Sequence, residues 1–426
     1  MSSHGESEKF VPLDLSRWKN LPIVLMVLGG IGALIGLAVD PKQFGYSWLL
    51  AFMFAVSLCM GGFFLTLIHH LFDASWSVPI RRINEHLGAM TYQVLPFLFI
   101  PIGIYAMAPA IGLHLPSLYP WMNELLTNPA AAGHDHALQA KQPLFTVAGF
   151  FGVAAFNFVM WFIFARGLKA WSLKQDETGA AECTLKMRFY ASLGIFVFAV
   201  TLTLGAIMWM KALMHEWFST MYPVYYFAGS VWMTLATVYL VAAILKRQNG
   251  QLREVLKQKQ FYFIGSLIFA FTVFYAYVTF SQYFIIWNAN MPEETFWYAV
   301  REKGNFWDLG MLLIFGHFFL PFLSLLRIDA KLTLPVMVPL FVWAWIMHFV
   351  DLEFNIGPTP HPNGITAGSV ALDLACLAFM VGLLALVWLR NFRAHAPYPI
   401  RDPRLAEGLD MYVAPSDIAT APGHAK

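Results

Sequence analysis

Residues 309–352 read LGMLLIFGHFFLPFLSLLRIDAKLTLPVMVPLFVWAWIMHFVDL. Two apolar runs, each near the length that crosses a hydrocarbon core, are joined by the short polar turn RIDAK at 327–331. Neither run is purely apolar. His317 sits in the middle of the first, and His348 and Asp351 lie three residues apart, on one helical face, in the second. An ionisable side chain in lipid is costly, so each of these carries a functional hypothesis with a partner to be named.

The same apolar length recurs on both sides of this stretch. The 426 residues are 58% hydrophobic and 12% charged, against a charged fraction of about 25% in ordinary soluble domains. The pattern predicts ten spans: 21–38, 48–71, 90–110, 143–165, 189–210, 223–245, 261–286, 309–326, 334–352 and 369–389. Backbone groups in lipid must pair within their own segment, so the expected class is an all-α polytopic membrane protein. Residues 1–20 form a polar N-terminal segment, 21–389 the transmembrane domain and 390–426 a Pro- and Ala-rich tail, read as extended and either mobile or lying along a partner. The polar start and the lack of a small-residue cleavage site at 30–40 predict that the first span is retained rather than removed as a signal peptide. Cys59, Cys183 and Cys376 are scattered with no CxxC, which gives no support to iron–sulfur, c-type haem or disulfide chemistry. A net charge of +2 carries no footprint of nucleic-acid binding.

The distribution of charge is more informative. Of the 27 Lys and Arg residues, 22 fall in segments 1–20, 72–89, 166–188, 246–260, 327–333 and 390–426, and 5 fall in the alternate loops. The positive-inside rule then predicts that both termini are cytoplasmic. The opposite loops, among them HEWFSTMYP (215–223), MPEETFWYAVREKGNFWDLG (291–310) and EFNIGPTPHPNG (353–364), are rich in aromatics, Pro and Gly. They suit either docking of another protein or an interfacial aromatic belt. In 111–142, His134-Asp135-His136 is a weak metal pattern that reads better as a solvated loop.

Four histidines belong to spans: His69, His70, His317 and His348. A b-type haem needs two axial ligands at one depth on facing helices. Counting about 1.5 Å per residue, His69 and His70 lie at the basic end, His317 near the midplane and His348 in the outer third. No pair matches, which argues against an intrinsic haem. The polar groups instead trace a broken route. Thr66, His69, His70 and Asp73 share one face of span 2; Tyr275, Thr279 and Gln282 share one face of span 7; His348 and Asp351 share one face of span 9. These are candidates for a proton path. Each also has a local reading, as helix cap, packed bundle histidine or interfacial pair. Arg81, Arg82 and Glu85 read as a cytoplasmic charge cluster that fixes helix ends and meets lipid headgroups. Pro321, four residues after His317, is expected to kink span 8 and free the His317 carbonyl.

Several of these stretches together resemble one group of proteins. GGFFLTLIHHLFDASWSVPIRRINEHL (61–87), MKALMHEWFSTMYPVYYFAGSV (210–231), GHFFLPF (316–322) and HFVDLEF (348–354) resemble the NrfD-like (polysulfide reductase membrane subunit) superfamily. The resemblance covers about residues 15–390 and is nearest to the smaller NrfD-like subunit of bacterial alternative complex III. It implies two four-helix bundles, spans 2–5 and 6–9, flanked by spans 1 and 10. It implies a quinol:cytochrome c or quinol:oxidase assembly in which this subunit holds no redox centre of its own. Haem c and iron–sulfur clusters would reside in periplasmic partner subunits, beside a sister NrfD-like membrane subunit and the quinol pool. It places a proton path on His69, His70, Asp73, His317, His348 and Asp351. A secondary transporter and a purely structural membrane anchor are the competing readings.

Overall fold

A computed structural model describes Leu15, residues 18–248 and residues 250–409. Among these the regular structure is helical throughout, and ten helices are long and apolar enough to span a membrane. The protein is an all-α polytopic membrane protein. Span 1 is Asn20–Val39, span 2 Pro41–Leu71, span 3 Ser75–Ala106, span 4 Val147–Thr178, span 5 Ala181–Met214, span 6 Tyr222–Gln248, span 7 Gln258–Ala289, span 8 Phe306–Leu325, span 9 Leu334–Ile356 and span 10 Ala367–Arg393.

Local chemistry sets the helix ends. Asp40 caps span 2 by accepting from the Gln43 amide at 2.9 Å, with Pro41 opening the helix. Thr146 caps span 4 through the Gly149 amide at 2.9 Å, and Gly179 ends it at φ 63°, a left-handed turn that favours glycine.

Span 2 packs on span 3, span 3 on span 4, span 4 on span 5, and span 5 returns to span 2; spans 6–9 close in the same cyclic order. Spans 2 and 6 touch each other at the centre, and span 10 packs on both span 1 and span 2. Burial agrees: 89% and 83% of the apolar windows of spans 2 and 6 are covered by protein, against 17% for span 1, which leaves most of span 1 to lipid. The central crossing uses small residues, as close helix approach in lipid requires. A Cβ on Gly61 would strike Thr234 of span 6. Both central helices carry the same motif, F-A-x-S-x-x-M, at Phe54–Met60 and Phe227–Met233, and its two serines, Ser57 and Ser230, are hydrogen-bonded at 3.0 Å. The repeat thus relates span 2 to span 6 in chemistry as well as in order.

Three segments differ from expectation. Span 3 starts at Ser75, not near 90, so most of the polar stretch expected as loop 72–89 is helix. Its Arg81, Arg82, Glu85 and His86 lowered the apolar signal, yet these groups are paired or packed inside the protein. Span 8 is interrupted by a π-helical stretch, Leu313–Phe319. Pro321 has no N–H to continue the α pattern, and the Leu320 amide bonds the Phe315 carbonyl one residue further back. The Gly316 carbonyl, which the α pattern would give to the Leu320 amide, accepts instead from the Trp343 indole N–H at 2.8 Å. The tail is the third difference. Residues 394–409 lie along the basic end of their own chain, with the Ile400 amide on Asp176 at 3.1 Å and the Gln260 amide group on the Gly408 carbonyl at 3.2 Å. The rest of the tail lies outside the described residues.

Candidate functional site

Two buried polar clusters stand at different levels of the bundle. The first is built around span 9. Asp351 is 3% exposed, and its Oδ1 accepts from two phenols: Tyr275 of span 7 at 2.7 Å and Tyr225 of span 6 in a shorter contact. Asn355, one turn on, donates to the Tyr225 hydroxyl at 3.0 Å and to the Asp351 carbonyl at 2.7 Å. No cation pairs with Asp351 among the described residues. His348 lies one turn before it. Its Nε2 is 2.9 Å from the Ser57 hydroxyl, so the histidine joins the serine pair at the central crossing. Gly229 of span 6 packs against both groups: a Cβ there would lie at ordinary contact distance, 3.5 Å from His348 Nδ1 and 3.6 Å from Asp351 Oδ2.

His317 completes the cluster from span 8. Its ring is fully buried and stacked on both faces, 3.8 Å from Tyr275 and 4.1 Å from Trp232 between ring centroids. Neither ring nitrogen has a partner. Tyr275 is therefore the shared element: its ring lies on His317 and its hydroxyl binds Asp351. His348 lies nearer the loop end than His317, in the expected order. Both spans run further toward the loop end than hydropathy suggested. Measured from Phe306 and Ile356, the two histidines lie about 16 and about 12 Å deep. Toward the loops, Thr279 turns back on the Tyr275 carbonyl at 2.7 Å. Gln282 meets Ser219 at 2.9 Å and the Tyr298 hydroxyl at 3.1 Å.

The second cluster fills the basic end. Arg81, Arg82 and Glu85, expected to face headgroups, are 1%, 0% and 3% exposed, which corrects that reading. Span 4 and the tail supply the carboxylates that make burial tolerable. Arg82 binds Glu85 at 2.6 Å, Asp176 in a shorter contact and the Ser172 hydroxyl at 3.2 Å. Arg81 pairs with Asp402 of the tail and lies 3.0 Å from Glu85, off the line a hydrogen bond needs. His69 joins through Arg81 at 3.2 Å and Ser77 at 2.6 Å. The His70 ring packs against it at 4.8 Å with Nε2 unpartnered. Asp73 stands apart from them, half-exposed at φ 50°, and pairs with Arg188 at 2.9 Å and with Arg404 of the tail. Thr66, Glu85 and Lys169 line a water-sized cavity above the arginines.

The structure thus brings His317, His348, Asp351 and Tyr275 together, and separately joins His69 to Arg81, Arg82 and Glu85. It does not join the two groups. Ser57 and Thr66 are nine residues apart on span 2, about 14 Å of helix, crossed on span 6 by Thr234, whose hydroxyl turns to the Ser57 carbonyl at 3.3 Å. Sequence reasoning missed Ser57, Ser230, Tyr225, Asn355, Asp176 and Asp402. The repeated F-A-x-S-x-x-M motif was the one signal that marked the two serines.

In the loops, Asp135 does not gather His134 and His136, both exposed; it pairs with His215 at 2.6 Å. Burial alone would raise the Asp135 pKa, but the Leu138 amide and the His215 ring outweigh it and hold the carboxyl below its usual value. Among the described residues no group of three or more His, Cys, Asp or Glu is placed to hold a metal ion. Compared with known proteins, the chain matches no family model and no curated protein.

Proposed function

We propose that this chain conducts protons as an integral membrane subunit of a quinol-oxidising electron-transfer assembly of the alternative complex III type. The supporting observation is the convergence of His317, His348 and Asp351 from spans 8 and 9 on the phenols of spans 6 and 7. A buried carboxyl bound by two phenols, with two neutral-capable imidazoles beside it, is a set of groups that can each take and pass one proton. The basic-end cluster, with its cavity at Thr66, Glu85 and Lys169, supplies a second, separate set.

The apolar stretch between Ser57 and Thr66 divides the route into two half-paths. Access that alternates between halves would move protons without an open channel. On the positive-inside rule the basic end and both termini face the cytoplasm, and the membrane of such an assembly is the bacterial inner membrane. The aromatic loops then face the iron–sulfur and multihaem cytochrome c partners, which carry the electrons taken from quinol.

The test uses the intact assembly, isolated gently and reconstituted in vesicles. Visible absorption of c-type haem in the purified complex supports the respiratory setting. Asp351→Asn and His317→Gln should leave quinol oxidation measurable and abolish proton translocation. Translocation at the wild-type level in both variants refutes the path, and a colourless protein purified alone refutes the setting.

A further inference from the structure

Span 9 carries a second buried acid, two residues after Asp351 and on the far side of the helix. Glu353 is 4% exposed and faces Asp373 of span 10, which is 2% exposed. The two carboxyl groups lie against each other. Two carboxylates are acceptors only, so such a contact requires a proton on one of them. No Lys, Arg or His pairs with either among the described residues. Like charges in contact in a low-dielectric interior cannot both persist without a cation.

The groups facing the pair are few. Span 2 contributes Ser47 and Gln43, which bond each other at 3.1 Å and reach the Asp373 carboxyl. Span 10 contributes Cys376, one turn along and buried. Gln43 continues outward: its Oε1 meets His361 Nε2 at 2.8 Å, and His361 is only partly buried in the loop 357–366. Asp40 and Lys42 stand nearby at the start of span 2. A polar chain therefore runs from the carboxyl pair through Gln43 to an imidazole at the surface.

We propose that Glu353 and Asp373 form a proton-binding site that holds one proton between spans 9, 10 and 2 and exchanges it with the loop-end surface, where Gln43 and His361 make the polar approach to the pair. On the reading of this chain as a proton conductor, the pair is the loop-end station of that path. When a second proton arrives from within, one proton leaves the pair for the loop-end surface, so the pair returns to one proton each cycle.

Infrared spectroscopy of the intact assembly at rest tests the site without turnover. The wild type should show a protonated-carboxyl C=O band at neutral pH that shifts in deuterium oxide. Glu353→Gln and Asp373→Asn should each remove it, while Asp351→Asn should leave it. A wild-type spectrum without the band overturns the proposal, and needs no variant to fold. So does a band that survives both substitutions. A band that vanishes on adding sodium chloride shows a cation site and also overturns it. Proton translocation in Asp373→Asn vesicles is then read separately. A present band with unimpaired translocation removes the pair from the path but not the bound proton. Unimpaired translocation in the Asp351 and His317 variants instead removes the path itself.

Discussion

Replacing Arg82 with methionine tests whether the basic end is a buried structure or a surface one. The side chain is fully buried, with Glu85 at 2.6 Å, Ser172 at 3.2 Å and Asp176 in closer contact. Methionine keeps most of the apolar stem and removes the charge. Glu85 then keeps Arg81, 3.0 Å away at a poor angle, and the more distant Lys169, while Asp176 keeps the Ile400 amide at 3.1 Å and the more distant Arg81. Breaking one side of a buried pair costs about 3–5 kcal/mol, most of it the penalty on the carboxylate left behind. That is roughly two to nearly four powers of ten in the unfolding constant. The assay is reversible unfolding in mixed micelles with increasing dodecyl sulfate. The double variant Arg82→Met/Asp176→Leu removes both charges and should recover at least half of the loss, since replacing a whole buried pair by apolar residues is near neutral. A loss below about 1 kcal/mol in the single variant, the range of an exposed pair, would show that Arg82 reaches solvent or headgroups and would refute the buried network.

Three further outcomes follow from other parts of the molecule. Gly61→Leu should separate spans 2 and 6 and destabilise the protein by about 1–3 kcal/mol or more, because any Cβ there meets Thr234; equal unfolding midpoints would contradict the crossing. Asp402→Ala should destabilise the basic end and speed proteolysis after residue 393, read by mass of the fragments, because Arg81 loses its partner from the tail. The Asp135–His215 contact should be pH-dependent in one direction. The folded carboxyl titrates below its ordinary value of 3.8, so its contribution is present above that value and is lost as pH falls through the lower folded one. Hydrogen exchange of residues 215–217 should therefore stay slow from neutral pH down to about 4 and rise only below it; a rise that begins well above that would place the control elsewhere.

Ten spans and their order were legible because each apolar run exceeds the length any buried soluble helix needs. Span 3 was half hidden for the same reason. Hydropathy scores Arg81, Arg82 and Glu85 as water-seeking and cannot see that Asp176 and Asp402 will meet them. That His348 and Asp351 share one face was visible as an i, i+3 spacing, and Tyr275 as the head of a polar face. Their union with His317 was not, because it depends on the π-helical register of span 8 and on which helices face each other across the bundle. By hydropathy Glu353 is the first residue of a loop and Asp373 a lone acid in an apolar run, and only packing makes them neighbours.

The contact between Arg81 and Asp402 joins residues 321 positions apart, so it also sets a schedule. At a synthesis rate of about 5–20 residues per second, tens of seconds on the order of half a minute separate the two leaving the ribosome. Throughout that interval span 3 holds a guanidinium whose partner has not been made, with Glu85 on its own helix as the nearest substitute. Biogenesis of this protein therefore has a late checkpoint: the insertion machinery, or a chaperone beside it, must tolerate an incompletely neutralised helix until the tail arrives to close the bundle.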